Sequence, residues 1–153
     1  MAGPLSHLRV LDLSRVLAGP WAGQNLADLG AEVIKIERPK VGDDSRAFGP
    51  PWVKDKEGRD SKDSAYFTAA KRGKTMVSLN IYKPERQATV RERVRFGNVL
   101  IENYKYGEPA RKGRDDASCG AHEPRPTDWP VHGIGQTGRS RDMPGHAGKE
   151  RGS

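Results

Sequence analysis

Residues 5–39 read LSHLRVLDLSRVLAGPWAGQNLADLGAEVIKIERP, and the placement of apolar residues in this stretch decides the expected fold. Leu8, Val10, Leu11 and Leu13 form a short apolar run of the kind a buried strand carries. Ser14 to Pro20 is a loop closing on Gly19-Pro20, where proline's fixed φ and missing N–H suit the first turn of a helix. Trp21, Ala22, Asn25, Leu26 and Leu29 then recur at helical spacing. Gly30 follows as a stop, since glycine tolerates the left-handed backbone that ends many helices. Val33, Ile34 and Ile36 make a second strand that ends at Pro39. Strand, helix and strand in this order form a right-handed βαβ crossover, the building unit of a parallel sheet.

Working outward, the polar stretch from Val41 to Ser64 reads as one long surface loop. TMVSLNI, Thr75 to Ile81, is a third strand candidate. Lys83-Pro84 turns into PERQATVRERVRF, a helix start whose apolar face holds little beyond Ala88, Val90, Val94 and Phe96. NVLIENY, Asn98 to Tyr104, is a fourth strand candidate. From Ala110 to Ser153 there is no Leu, Phe or Tyr, and Pro124, Pro126 and Pro130 each remove a ladder donor, which is expected to break any strand there. The expected organisation is an α/β domain over residues 1–109 and a poorly ordered tail over 110–153, too poor in apolar groups to offset its ordering entropy.

Composition narrows the function classes. The 153 residues suffice for one domain, with an apolar share of 34% against the roughly 45–50% usual for globular chains. The single Cys119 excludes an intramolecular disulfide and a thiolate zinc cluster. No run approaches the roughly 18 apolar residues that span a bilayer, and MAGPLSHLRV lacks the signature of a secretory signal, so a cytoplasmic protein without membrane contact is expected. The net charge of +7 invites a nucleic-acid partner, but acids interleave the bases in DKEGRDSKD and RKGRDD, and no aromatic stacking platform lies among them. Nucleic acid is therefore not an expected partner.

The chemistry-bearing candidates are few. The loop Ser14 to Pro20 sits at the carboxyl edge of the expected sheet, where open α/β folds bind nucleotide-like ligands. It is neither GxGxxG nor a P-loop, so a tight pyrophosphate cradle has no support. Arg38 ends the second strand on the same edge, where a guanidinium grips phosphate or stacks on a purine. By pattern alone, a surface Arg38 paired with Glu37 or Asp28 carries more weight. His7, His122, His132 and His146 lack metal-ligand spacing, and Cys119 lacks an activating neighbour. Asp43-Asp44 and Asp115-Asp116 fit a solvated loop better than a cation site.

LRVLDLSRVLAGPWAGQNLADLGAEVIKIERPKVGDDSRAFGPP resembles the amino-terminal signature of the class III coenzyme A transferases, the family of formyl-CoA transferase, carnitine CoA-transferase and the α-methylacyl-CoA racemases. YFTAAKRGKTMVSLN, VLIENYKYG and GIGQTGRSRDMPGHA follow in the family's order. The resemblance implies a Rossmann-like CoA-binding domain, incomplete here, in a homodimer whose chains interlock. It implies no permanently bound cofactor, with coenzyme A or its thioester and a carboxylic acid as substrates. The implied reaction is a ping-pong exchange in which an aspartate attacks the thioester and CoA passes to the acid. By matching position, Val16, Leu17 and Ala18 lie in the loop that runs along CoA, and Arg38 stands near the adenosine and its phosphate. Leu79, Asn103, Tyr104 and Arg111 match further positions lining the CoA groove.

The same resemblance places the nucleophilic aspartate in a later segment, and the racemase aspartate at a position held here by Ala147. These 153 residues are therefore expected to be inactive as a transferase on their own. The decline in apolar content, with motifs still in register, suggests the remnant of a frame-disrupted gene. The alternatives are a residual CoA- or nucleotide-binding module and a non-functional basic remnant.

Overall fold

The computed structural model describes residues 2–81, 83, 86, 97–104 and 127–131. Strand β1 (Arg9–Asp12), helix α1 (Ala18–Asp28) and strand β2 (Glu32–Glu37) form the expected crossover. β1 and β2 run parallel, with Val10 opposite Val33 and Leu11 opposite Ile34. Gly30 ends α1 as anticipated: its φ is +100°, its N–H donates to the Ala27 carbonyl, and the Ala31 N–H donates to that of Leu26.

A short 3-10 turn (Asp44–Ala47) follows, then β3 (Trp52–Lys54), β4 (Asp60–Ser64), α2 (Ala65–Ala69), β5 (Lys74–Ser78), β6 (Val99–Glu102) and β7 (Thr127–Pro130). Five strands build one parallel sheet in the order β5-β2-β1-β6-β7. This is the α/β, Rossmann-like arrangement that the resemblance implied. The chain leaves β1 in one direction to make β2 and β5, and in the other to make β6 and β7. The β1/β6 junction is therefore the topological switch point, where a crevice opens beyond the carboxyl ends of the strands.

The strands' two-residue alternation splits the core into two layers. On one face Val10, Val33, Ile101 and Ala31 pack with Ala22 and Leu26 of α1. On the other, Leu11, Leu13, Leu100, Ile81 and Tyr104 pack with Ile34, Ile36 and Leu79. The helix face differs from the expected one, since Trp21 is 54% exposed and Leu29 47%. Gly19 and Gly23 face the sheet instead, with Ala22 and Leu26. A Cβ on Gly19 would stand 2.3 Å from Ser14 Cβ, so close approach of backbone to sheet outweighs the burial of a tryptophan in setting the helix rotation.

Two further expectations fail. Val41 to Ser64 is not a plain surface loop. β3 and β4 pair antiparallel, and Asp43, Ser45 and Ser64 are buried. Ser64 caps α2 by accepting the Phe67 N–H at 3.0 Å and donates from Oγ to the Ser45 carbonyl at 2.6 Å. Polar side chains thus build this excursion, which an apolar pattern cannot reveal.

Nor do the prolines abolish a strand in the tail, for β7 pairs with β6. The Thr127 N–H donates to the Asn98 carbonyl and the Val131 N–H to that of Glu102. Residues of the opposite parity, Pro130 among them, direct their amide position away from β6, on the outer side of the outermost described strand, where no donor is required. The rest of the tail, with Arg111, Cys119 and Ala147, lies outside the described residues, as does the expected helix after Pro84 except for Arg86. Among the described residues no helix is long and apolar enough to cross a membrane.

Candidate functional site

The carboxyl ends of β1, β2, β5 and β6 open into a groove whose apolar wall is Leu13, Ile36, Leu79, Ile81 and Tyr104. Arg15, Glu37, Arg38, Gly42 and Asp43 contribute its polar side. These residues come from five separate segments, and the sheet brings them together because every parallel strand ends on this edge. Helix α1 starts on the same edge. No side chain caps it and no acid lies in its first turn, so the helix's positive end is open to an anion.

Arg38 is about one-third exposed and is bound to neither Glu37 nor Asp28 by its guanidinium. Its Nη2 donates to Asp44 Oδ1, while Asp28 is held by Arg72. Arg15 reaches the other oxygen of the same carboxylate, Nη1 to Asp44 Oδ2 at 3.1 Å. Two guanidinium groups thus share one carboxylate at the groove.

Of the residues singled out by sequence, the groove gathers Arg38, Leu79 and Tyr104. Val16 and Leu17 are half-buried in the adjoining loop and Ala18 is exposed. Asn103 is occupied elsewhere: its Oδ1 accepts the Arg15 N–H at 2.8 Å and its Nδ2 donates to the Arg15 carbonyl at 2.7 Å. Arg111 lies outside the described residues.

Sequence reasoning missed a buried charge chain beneath this edge. Asp12, fully buried on β1, accepts from Lys74 Nζ at 2.8 Å, and Lys74 also donates to the Pro20 carbonyl of α1. Lys35 of β2, 1% exposed, donates to the Ser14 carbonyl at 2.7 Å and lies 3.2 Å from Asp43 Oδ2. Burial pushes the Lys74 ammonium down, with Asp12 pulling the other way. The available signal was a charged residue next to the apolar run of each strand, Asp12 after Val10-Leu11 in RVLD and Lys35 between Ile34 and Ile36 in EVIKIE.

Asp43, expected in a solvated loop, is 3% exposed. Its Oδ1 accepts from the Val16 N–H, the Ser45 N–H and the Ser45 hydroxyl. Burial would raise its pKa, but Lys35 and these hydrogen bonds together hold the carboxyl below its ordinary 3.8. A depressed carboxylate binds fewer protons folded than unfolded, so it stabilises the fold above the ordinary value and ceases to as pH falls through the folded one. Urea midpoints measured downward from pH 6 are therefore expected to hold to about pH 5 and then fall, with a shallower decline in Asp43→Asn. An equal decline in the two would exclude Asp43 as a source. Among the described residues no cluster of His, Cys, Asp and Glu offers a metal site.

Comparison with known proteins adds an independent finding. A sequence model of CoA-transferase family III matches residues 5–148. A succinate–glutarate CoA-transferase of Agrobacterium fabrum is 46% identical over 94% of this chain and 36% of its own length. A succinyl-CoA:glutarate CoA-transferase of Mus musculus is 42% identical over 88% of this chain and 29% of its own. The crystal structure of a CAIB/BAIF family protein from Brucella suis superposes with a TM-score of 0.85 at 40% identity, covering 95% of this chain and 38% of that one. The chain spans about a third of the length of the curated relatives it matches.

Proposed function

The chain belongs to CoA-transferase family III, and from that membership we propose that its groove takes the coenzyme A part of a thioester, whose acyl group is exchanged with a free carboxylic acid. The observation that carries the reading is the pairing of Arg15 and Arg38 on one carboxylate, at the switch-point groove and beside the uncapped start of α1. Coenzyme A asks for that combination. Its phosphates need guanidinium groups and helix amides, and its pantetheine arm needs an apolar wall such as Leu79 and Tyr104 provide.

Val16, Leu17 and Ala18 run alongside the coenzyme in this reading, and Arg111, by its matching position in the family, is a further contact to it. Relatives named for succinate, succinyl-CoA and glutarate point to a short dicarboxylate as acyl group and acceptor. Pairing in an interlocked homodimer belongs to the same proposal.

Calorimetric titration of the purified chain with CoA and succinyl-CoA tests it. Binding of both is expected, and Arg38→Ala is expected to weaken it by about 1–3 kcal/mol, roughly 5- to 150-fold. Absence of heat with either compound would remove the reading, and an unchanged affinity in Arg38→Ala would remove Arg38 from it. The 153 residues alone are expected to bind without exchanging acyl groups. Succinyl transfer to glutarate by this chain would overturn that part.

A further inference from the structure

The turn after β1 is bent into a conformation that its own sequence does not favour. Val16 has a φ of +70°, in the left-handed region where a β-branched residue is strained. Such backbone persists only where its surroundings over-determine it. Here the ties are residue by residue. Lys35 Nζ holds the Ser14 carbonyl, Asn103 holds both polar groups of Arg15, and Asp43 Oδ1 accepts the Val16 N–H at 3.1 Å.

Asp43 alone among these touches the strained residue. The same oxygen binds the Ser45 N–H and hydroxyl, and its other oxygen faces Lys35 at 3.2 Å. One buried carboxylate therefore joins three things: the strained turn, the start of the 3-10 turn after β2, and the buried cation of β2. We propose that Asp43 is a positioning residue, which holds Val16 in its left-handed conformation and so presets the Arg15–Ala18 loop for the coenzyme. The second half of this statement rests on the coenzyme reading above. The first half does not.

The competing role is purely structural, that of an N-cap for the 3-10 turn, and it would leave the strained turn indifferent to Asp43. Amide hydrogen exchange on the whole chain separates the two. In Asp43→Ala, which removes the acceptor of the Val16 N–H, that amide is expected to lose at least about 10-fold in protection while the strand amides of Leu11 and Ile34 keep theirs. Protection lost uniformly, or not at all at Val16, would overturn the proposal. Should Asp43→Ala fail to fold, Asp43→Glu keeps a negative charge for Lys35 while shifting the acceptor away from the Val16 N–H, and the same amide is read.

Coenzyme affinity gives the second readout. Asp43→Ala is expected to raise the Kd for CoA about 10-fold in the Val16 chain and less than about 3-fold when Val16→Gly is also present, because glycine adopts this φ without strain. An equal loss in both backgrounds would overturn the presetting. If the unaltered chain binds no CoA while Val16 protection still falls selectively, the coenzyme reading fails and the hold on Val16 stands.

Discussion

Asp12→Ala is expected to destabilise the fold by about 3–5 kcal/mol, because it strips the partner from a buried cation without removing the cation. Asp12 is fully buried, and its Oδ2 lies 2.8 Å from Lys74 Nζ and 3.9 Å from Lys35 Nζ. Its Oδ1 accepts from the Ser14 N–H and hydroxyl. Alanine would leave Lys74 among α1, β1 and β5 with only the Pro20 carbonyl for company. Against typical domain stabilities of about 5–15 kcal/mol, such a loss consumes a large share. Urea unfolding measures it, and the double variant Asp12→Leu with Lys74→Met supplies the contrast. Removing both charges together is expected to cost far less than removing one, as apolar replacement of a buried ion pair is often close to neutral. A loss below about 1 kcal/mol in Asp12→Ala would mean that water reaches Lys74, contrary to the burial of this pair.

Ile101→Ala is expected to be the next most damaging change, at about 2–5 kcal/mol. Ile101 has no exposed surface and packs in one layer with Val10, Val33 and Ala31, under the Ala22 and Leu26 face of α1. It is the residue at which β6 locks to the strand that precedes the turn, since its carbonyl accepts the Leu13 N–H at 2.9 Å. Truncation leaves a void that neighbours on two strands and a helix cannot all close. Ile101→Val, which removes a single methylene, is expected to cost only about 0.5–1.5 kcal/mol. Equal costs for the two would argue that the site collapses freely, contrary to the packing seen around it.

The core of the fold was legible because parallel strands buried on both faces read as apolar runs, as at Val10-Leu11 and Val33-Ile34. Gly30 was legible because a helix stop has a chemical requirement. The rotation of α1 was not, since a hydrophobicity pattern weighs Trp21 heavily and is blind to the closeness that Gly19 allows. The β3–β4 hairpin escaped because DSKDS carries no apolar residue, its place being fixed by the hydroxyls of Ser64 and Ser45. β7 escaped because a proline forbids a strand only where its amide faces a partner, and parity cannot be read before the register is known.

At the site, Arg38, Leu79 and Tyr104 came from family likeness rather than from periodicity. Asp12, Lys35 and Lys74 went unnoticed because a lone charge in a strand is ordinarily a solvated one. Their burial in the fold, with Gly23 packed against Asp12 and Lys74, shows that these charges are sealed in.

The side chain of Asn103 meets the main chain of Arg15 as one peptide group meets another, giving and taking a hydrogen bond across 88 residues of sequence. It therefore adds a rung to the sheet beyond the point where β1 and β6 part. During synthesis the first crossover is complete long before that rung exists. The main chain of Arg15 therefore lacks this tie until residue 103 has been synthesised.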